Sequence, residues 1–318
     1  MRTILVTGGA GFIGSSLVDN LLQNGEFVIS IDNFDPFYDK EIKLSNISKQ
    51  KENLNYKFCE GNILDEAFLS KIFTDYKIDV VIHLAAKAGV RPSLEDPDSY
   101  FQTNINGTIT LLNVMNKFNV KKLLFASSSS VYGNNKKVPF SESDNVDFPV
   151  SPYAASKKSG ELICYTYSHL YDFDIYLFRF FTVFGPRQRP EMAIAKFTDN
   201  IAKDIPITLF FGNGETKRDY TYIDDIVTGL VAGVEKVSGY EIFNLGNSRT
   251  VKLMELVNLI EENLGKKANI IKKECQPGDV VQTYAEIEKA KNLLNYYPKT
   301  PIEDGIAKYV QWYKEQLM

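Results

Sequence analysis

The stretch ILVTGGAGFIGSSLVDNLL, residues 4–22, decides the fold of this chain. It joins an apolar, β-prone run to an amphipathic helical pattern through a turn that contains Gly8, Gly9, Gly11 and Gly14. The glycines fit both G-x-G-x-x-G and G-x-x-G-x-x-G, patterns in which the backbone closely approaches a pyrophosphate at a helix N-terminus. Glycines also occur in plain turns, but the strand and the helix around this turn favour a dinucleotide site.

Short apolar runs alternate with amphipathic stretches through the first 180 residues. The β-rich runs are TILVT, FVISID, YKFCEG, DVVIHLAA, KKLLFASSS and IYLFRFF. The helical patterns lie near residues 12–24, 65–76, 100–118 and 152–171. Strands that alternate with helices imply βαβ units and a buried parallel sheet. We therefore expect an α/β fold with a doubly wound parallel sheet, the Rossmann architecture.

The alternation loosens after Phe181. Helical patterns continue near residues 192–203, 223–236, 252–264, 286–294 and 301–317. We predict an NAD-binding Rossmann domain over residues 1–180, completed by parts of 218–246, and a smaller, mostly helical C-terminal substrate-binding lobe over 181–318. Because no flexible linker separates them, we expect the two parts to pack tightly with a cleft between them.

Composition limits the classes of function. A chain of 318 residues with 44% hydrophobic content can bury a large core, and its net charge of −4 offers no basic field for nucleic acid or an anionic membrane. Three widely spaced cysteines and two histidines argue against a disulfide framework or a zinc site, so we expect no metal. The chain shows no signal-peptide pattern and no apolar run of membrane-spanning length, so the expected compartment is the cytoplasm.

The second predicted strand ends in Asp32, where a carboxylate accepts hydrogen bonds from an adenosine ribose. The same charge repels a 2′-phosphate, so NAD is favoured over NADP, although Asp32 could instead cap the following turn. Loops after the next two strands converge on the same crevice. The residues expected to contact the cofactor are Gly8, Gly11, Phe12, Ile13, Asp32, Asn33, Asn62, Ile63, Ala85, Ala86, Lys87, Asn104, Tyr153 and Lys157.

The segment SPYAASKKSGE, residues 151–161, predicts a helix with a serine N-cap and a proline at its first position. Tyr153 and Lys157 are four residues apart and share one face, whereas Lys158 lies further round. A tyrosine that acts as a base needs its pKa lowered from about 10, which Lys157 and an oxidised nicotinamide could do together. An isolated Y-x-x-x-K would favour an ordinary solvated helix, so the pair depends on support elsewhere.

That support includes the segment LLFASSSSVYG, which places four hydroxyls, Ser127 to Ser130, just after the fifth strand. Serine runs are usually loops. Here, however, the run lies between a buried strand and the helix of Tyr153, where a hydroxyl could bond a substrate oxygen.

The chain resembles the extended short-chain dehydrogenase/reductase family almost from end to end. The motifs that carry the resemblance are T-G-G-A-G-F-I-G at 7–14, D-N-F at 32–34, H-L-A-A at 83–86, S-S-S-S-V-Y-G at 127–133, Y-A-A-S-K at 153–157, R-D-Y-T-Y-I-D-D at 218–225 and P-G-D-V at 277–280. The resemblance implies tightly held NAD and a catalytic group of Ser128, Tyr153 and Lys157. It also implies a nucleotide-sugar substrate between the lobes, and a homodimer through helices near 100–118 and 152–171.

The serine loop narrows the expected reaction within this family. Dehydratases of the family resemble S-T-D-E-V-Y-G here, because expelling water needs an acid and a base beside the sugar. This chain has Ser129 and Ser130 at those positions, and a serine hydroxyl does not exchange protons near pH 7. Decarboxylases of the family typically keep an acid at the position of Ser130. C4 epimerisation therefore remains as the expected reaction.

Three stretches, DNFDPFYDKEIK, AAKAGVRPSLEDP and RFFTVFGPRQRPEMA, are similar to the uronate branch of the family, the UDP-glucuronate 4-epimerases. The resemblance implies that Ser127, Ser129 and Thr182 donate to the sugar carboxylate, because short donors hold it without a rigid salt bridge. The leading interpretation is thus an NAD-dependent epimerase of UDP-glucuronate. The alternatives are an epimerase of neutral or N-acetylated UDP-hexoses and a non-catalytic NAD-binding module.

Arg189 and Arg218 are the expected ligands of the substrate diphosphate, because guanidinium groups bind phosphate oxygens bidentately. Arg91 is a further candidate, with a surface ion pair as its alternative role. Asp279 is expected at the uridine ribose and could otherwise be a turn residue.

Overall fold

The computed structural model describes residues 1–210, 216–274 and 282–316. The strands in these ranges are β1 Thr3–Thr7, β2 Phe27–Asp32, β3 Tyr56–Glu60, β4 Val80–His83, β5 Lys122–Ser128, β6 Asp174–Phe180, β7 Thr182–Phe184, β8 Ile207–Phe210, β9 Lys217–Tyr222, β10 Tyr240–Leu245, β11 Thr250–Lys252 and β12 Ile270–Lys273. The α-helices are α1 Phe12–Gln23, α2 Lys40–Asn46, α3 Glu66–Asp75, α4 Val90–Glu95, α5 Pro97–Phe101, α6 Gly107–Lys117, α7 Pro152–Tyr171, α8 Ala193–Ala202, α9 Ile223–Lys236, α10 Leu253–Leu264, α11 Glu288–Leu294 and α12 Ile302–Gln316.

The main sheet has seven strands in the order β10-β6-β5-β4-β1-β2-β3, and every neighbouring pair is parallel. This confirms the doubly wound parallel sheet. Its edge strand β10 comes from the second half of the chain and pairs with β6. Two small sheets, β11-β9-β7 and β12-β8, are formed by strands from the second half of the chain.

Apolar side chains cover both faces of the main sheet. Along β1, Ile4 and Val6 belong to one buried cluster, whereas Leu5 between them belongs to the other. Successive strand residues point to opposite faces, so a strand covered on both sides needs a continuous apolar run rather than an alternating one. This explains the consecutive apolar residues within TILVT and DVVIH.

The turn between β1 and α1 requires glycine at two positions. Gly8 has a positive φ of 72°, and a Cβ on it would lie 2.8 Å from the backbone nitrogen of Ala85. A Cβ on Gly14 would lie 2.1 Å from the carbonyl oxygen of Gly8. The first turn of α1 therefore packs directly on the turn that precedes it, which fixes the N-terminus of α1 at the carboxyl edge of the sheet.

The helical pattern predicted near 100–118 is interrupted in the structure. Helix α5 is followed by a π-helical turn at Gln102–Asn106 and then by α6. The wider turn brings the Asn104 side chain to the backbone of Lys87, with which it exchanges two hydrogen bonds of 2.8 and 2.9 Å. Such turns often occur beside functional sites.

A search of the helices in the described ranges finds none that combines the length and the apolar character needed to cross a membrane.

Candidate active site

A cavity of about 540 Å³ lies at the carboxyl edge of the main sheet. Its walls come from the glycine turn, the loops after β2 and β4, the serine segment after β5, the start of α7, and parts of the C-terminal lobe. The predicted site residues that line it are Gly8, Gly11, Phe12, Ile13, Asp32, Asn33, Asn62, Ile63, Ala85, Ala86, Lys87, Ser127, Ser128, Ser129, Tyr153, Lys157, Thr182, Arg189 and Arg218.

The three remaining predicted contacts are Asn104, Arg91 and Asp279. Asn104 is buried behind the cavity wall, where it holds the backbone of Lys87. The guanidinium carbon of Arg91 lies 4.6 Å from the ring centre of Phe210, and its contact with the diphosphate stays a prediction. Asp279 lies outside the described residues.

The N-terminus of α1 provides the features that a pyrophosphate requires. Phe12, Ile13 and Gly14 form the first turn and line the cavity. Backbone N–H groups in the first turn of a helix have no partner within the helix, and the N-cap residue Gly11 has no side chain to satisfy them. The glycine turn and these amides thus fit the phosphates of a dinucleotide.

Asp32 both caps the following turn and borders the cavity. One carboxylate oxygen accepts from the backbone of Phe34 at 2.9 Å, and the other accepts from Ala10 at 3.2 Å. Burial raises the pKa of Asp32, while these amides and the charge of Lys43 act in the opposite direction. A carboxylate has about four acceptor positions, so Asp32 can still accept from ribose hydroxyls.

The buried Lys43, which no sequence pattern indicated as a site residue, lines the same cavity as Asp32. Its Nζ donates to the carbonyl oxygen of Asp35 at 2.7 Å and lies 4.6 Å from the ring centre of Tyr38. Burial lowers the pKa of Lys43, whereas the nearby charges of Asp32 and Asp35 raise it. The short helix α2 that carries Lys43 gave no periodic signal, since seven residues hold fewer than two full repeats.

Helix α7 brings Tyr153 and Lys157 to the cavity. The Ser151 hydroxyl caps the helix by accepting from Ala154 N at 3.1 Å, as the sequence predicts. Lys157 is only 5% exposed, and its Nζ donates to the carbonyl oxygen of Ala126 in β5 at 2.8 Å. Burial lowers the pKa of Lys157 to about 8. Lys158 instead points toward Glu161, 3.8 Å from its carboxylate.

Tyr153 lies at the cavity wall, within hydrogen-bonding distance of Ser128. Desolvation raises the pKa of its phenol, while a hydrogen bond with Ser128 and the charge of Arg189 lower it. In the absence of a cofactor the phenol is therefore protonated at neutral pH. A further positive charge at the site would favour the phenolate.

The serine segment presents hydroxyls with different hydrogen-bonding roles. The Ser127 hydroxyl donates to the Glu161 carboxylate at 2.6 Å, so the prediction that Ser127 donates to a substrate carboxylate is corrected. Ser128 Oγ accepts from the backbone of Ser130 at 3.2 Å. Ser130 Oγ is buried and finds no hydrogen-bond partner among the described residues, so it is available to a ligand.

The two other predicted arginines reach the cavity from the C-terminal half. Arg189 lies 3.2 Å from the carboxylate of Glu191 and stands over the ring of Phe37. Arg218 donates to the backbone carbonyl of Lys217 at 3.0 Å and keeps part of its guanidinium at the cavity wall. The ion pair of Arg189 with Glu191 is only partly buried, and both arginines lie at the cavity wall.

Asp219, next to Arg218, is a structural anchor that sequence analysis did not assign. Its carboxylate accepts from the backbone amides of Asn247, Ser248 and Ala285 at 2.7, 3.0 and 3.1 Å. Burial raises the pKa of Asp219 to about 6, against these hydrogen bonds. The anchor ties β9 to the segment that carries Thr283 at the cavity wall.

A known protein family matches most of this chain. The family model described as GDP-mannose 4,6 dehydratase matches residues 5–309. The chain belongs to this family. The relation to short-chain dehydrogenase/reductases that the motifs indicated is thereby confirmed.

Individual members of the family are similar over their full length. A UDP-glucuronate 4-epimerase of Thermodesulfobacterium geofontis is 45% identical, with 100% of this chain and 98% of the relative covered. The crystal structure of UDP-glucuronic acid 4-epimerase from Bacillus cereus with UDP-glucuronic acid and NAD superposes with a TM-score of 0.93, at 38% identity and 99% coverage of both chains. UDP-glucose 4-epimerase of Thermotoga maritima with UDP-glucose gives 0.91 at 35% identity and 100% coverage of both.

The buried charge of Lys157 should cost stability. Its pKa of about 8 in the folded chain lies below the ordinary 10.5, a difference of about 3 kcal/mol. Replacing Lys157 by Met removes this cost but leaves the Ala126 carbonyl without a partner, which costs about 1 kcal/mol. We therefore expect nucleotide-free Lys157→Met to be more stable than wild type by about 2 kcal/mol at pH 7.

Urea unfolding at several pH values checks this expectation. The unfolded chain binds the Lys157 proton more tightly than the folded chain does. The loss of folding stability caused by the buried charge is therefore full below pH 8 and decreases as the pH rises toward 10.5. The advantage of Lys157→Met should shrink over that interval. Lys158→Met, one residue further along α7, is the matched control. A Lys157→Met protein less stable than wild type at pH 7 would contradict the expectation.

Proposed function

We propose that the chain is an NAD-dependent UDP-glucuronate 4-epimerase that interconverts UDP-glucuronate and UDP-galacturonate. The observation that carries the proposal is the set of groups around Tyr153: a hydroxyl from Ser128, the buried ammonium of Lys157, and serines where an eliminating enzyme needs carboxylic acids. The similarity to UDP-glucuronate 4-epimerases over the whole chain supports the same reaction.

The site has the groups that NAD requires. The first-turn amides of α1 would hold the pyrophosphate, and Asp32 would hold the adenosine ribose. When bound, NAD accepts a hydride from the sugar and returns it. Its positive ring would lower the pKa of Tyr153, which the protein alone leaves raised.

Tyr153 acts as the acid and base of the reaction. Its phenolate takes the proton of the C4 hydroxyl as that carbon is oxidised, and the phenol returns the proton when the carbon is reduced. Ser128 holds the C4 oxygen beside the phenol. The same two side chains serve both directions, because oxidation and reduction occur at one carbon.

Inversion at C4 requires the keto sugar to present its other face before reduction. The sugar carboxylate must therefore be held without a rigid clamp. Ser129, Ser130 and Thr182 offer short hydroxyl donors at the cavity, and Ser130 Oγ has no partner among the described residues. Arg189 and Arg218 would bind the diphosphate and keep the nucleotide in place while the sugar turns.

A panel of nucleotide sugars tests the proposed substrate. The purified protein is incubated separately with UDP-glucuronate, UDP-glucose and UDP-N-acetylglucosamine, and the sugar protons are followed by NMR. We expect galacturonate signals with the first sugar and little conversion of the other two. Conversion of UDP-glucose alone would overturn the uronate assignment, and inactivity with all three would overturn the epimerase.

The role of Tyr153 is tested by Tyr153→Phe, which removes the hydroxyl that exchanges the proton. We expect turnover to fall by at least about a thousandfold, within the range that a positioned acid and base contributes, while bound NAD is retained. Lys158→Ala, one position beyond the catalytic lysine, should keep near wild-type turnover. NAD content is measured from the released nucleotide, and an active Tyr153→Phe variant would refute the role.

We also propose that the protein forms a homodimer through α7 and the helices between residues 97 and 117. Leu162 and Tyr165 on α7 are 56% and 55% exposed, and Phe101 is exposed on the neighbouring α5. Apolar side chains on adjacent helices favour a self-complementary two-fold contact.

The expected cytoplasmic location stays a prediction.

Light scattering after size-exclusion chromatography should give twice the chain mass of 36.0 kDa. Leu162→Glu would place two like charges near the two-fold axis and should yield the single-chain mass. Leu54→Glu changes a leucine that is 96% exposed on another surface and should leave the dimer intact. A single-chain mass for the wild type would refute the homodimer.

A further inference from the structure

Glu161 is a buried carboxylate that has no assigned role in proton transfer or ligand binding. It lies on α7, four residues after Lys157 and eight after Tyr153, so the three side chains occupy successive turns on nearly the same helix face. Glu161 is 1% exposed. An acidic side chain at such a position is costly unless it is paired and fully hydrogen-bonded.

Two groups donate hydrogen bonds to the Glu161 carboxylate, and Lys158 Nζ lies 3.8 Å from Oε2. Arg179, also 1% exposed, donates from Nε to Oε1 and from Nη2 to Oε2, both at 2.8 Å. Ser127 donates its hydroxyl to Oε1 at 2.6 Å. Ser127 and Arg179 are direct partners in the register of β5 and β6, so the carboxylate lies over two adjacent strands.

Arg179 extends this arrangement to the far end of the serine segment. Its Nη1 donates to the hydroxyl of Tyr132 at 3.0 Å, and that hydroxyl donates to Asn244 at 2.6 Å. Tyr132 ends the 3₁₀ turn Ser129–Tyr132 that follows β5. Ser127 and Tyr132 thus bracket the turn, and both are held by the Glu161–Arg179 ion pair.

We propose that Glu161 is the positioning residue of the serine turn: by fixing both of its ends, it holds Ser128, Ser129 and Ser130 in place opposite Tyr153. The proposal rests on the proposed epimerase function and extends it. Since the single proton of Ser127 is donated to Glu161, the Ser127 oxygen offers only lone pairs to the cavity. Ser127 can accept from a sugar hydroxyl but cannot donate to the sugar carboxylate.

Two variants separate positioning from simple stability. Glu161→Gln places an amide donor where the carboxylate accepts and leaves Arg179 without its charge partner, so it should also lower thermal stability. Ser127→Ala removes only the serine end and leaves the ion pair intact. Tyr240→Phe is the matched control, because the Tyr240 hydroxyl donates to the backbone carbonyl of Glu161 and not to its carboxylate.

Steady-state kinetics are measured with UDP-glucuronate and normalised to the amount of NAD-loaded protein. Both Glu161→Gln and Ser127→Ala should lower kcat by about ten- to a hundredfold, because the reacting groups are misplaced. KM should change less than about threefold, since the nucleotide contacts that dominate binding remain. The double variant should be no slower than Glu161→Gln, because both changes break the same contact. Ser127→Thr, which keeps the hydroxyl, should restore most of the kcat.

Wild-type kcat for Ser127→Ala, or a rise in KM without loss of kcat, would overturn the proposal. So would a Glu161→Gln protein that is less stable yet fully active well below its Tm. If Glu161→Gln fails to fold, Ser127→Ala still decides between these outcomes.

Hydrogen exchange gives a second readout that does not need turnover. Exchange is measured by mass spectrometry on NAD-loaded protein. The backbone amides of the peptide that contains Ser128 to Tyr132 should exchange faster than in wild type in Glu161→Gln and Ser127→Ala. Their exchange rate should be unchanged in Tyr240→Phe. Unaltered exchange in both variants would refute positioning. A wild-type protein that is inactive on UDP-glucuronate would instead refute the epimerase, and the exchange result would still decide the role of Glu161.

Discussion

The hydrogen bond from Lys157 Nζ to the carbonyl oxygen of Ala126 is the contact on which the site depends. It fixes α7 against β5 two residues before the strand ends, and so places Tyr153 beside the hydroxyl of Ser128. The same contact keeps the Lys157 ammonium in a buried position, where desolvation lowers its pKa to about 8. The protein thereby accepts a loss of stability at the point where a catalytic charge is needed.

The inner face of α7 carries one function at each turn. Tyr153 lies at the cavity wall and is the proposed acid and base, Lys157 binds strand β5, and Glu161 contacts Ser127 and Arg179. A single rigid helix can hold the three groups in a fixed relation because its register cannot slip relative to β5 and β6. Precision at the site therefore comes from helix and strand geometry more than from the loops.

Local sequence patterns predicted the parts of this design that depend on neighbours in the chain. The glycine turn, the alternation of strands and helices, and the capped start of α7 are all fixed by short-range chemistry, and the structure contains them. The sequence could not predict that Arg91 stacks on Phe210, that Lys43 lines the cavity together with Asp32, or that Ser127 donates to Glu161. Those contacts join distant segments, and only the packed fold determines which partner each charged group meets.

In the proposed reaction, one site oxidises C4 of UDP-glucuronate and reduces the same carbon from the opposite face. UDP-glucuronate with deuterium at C4 is the direct probe, incubated with the NAD-loaded protein in ordinary water and followed by NMR and mass spectrometry. The account predicts UDP-galacturonate that retains the deuterium at C4, since the hydride never leaves the site. Product that has lost the deuterium to solvent, or that carries it at another carbon, would contradict the account.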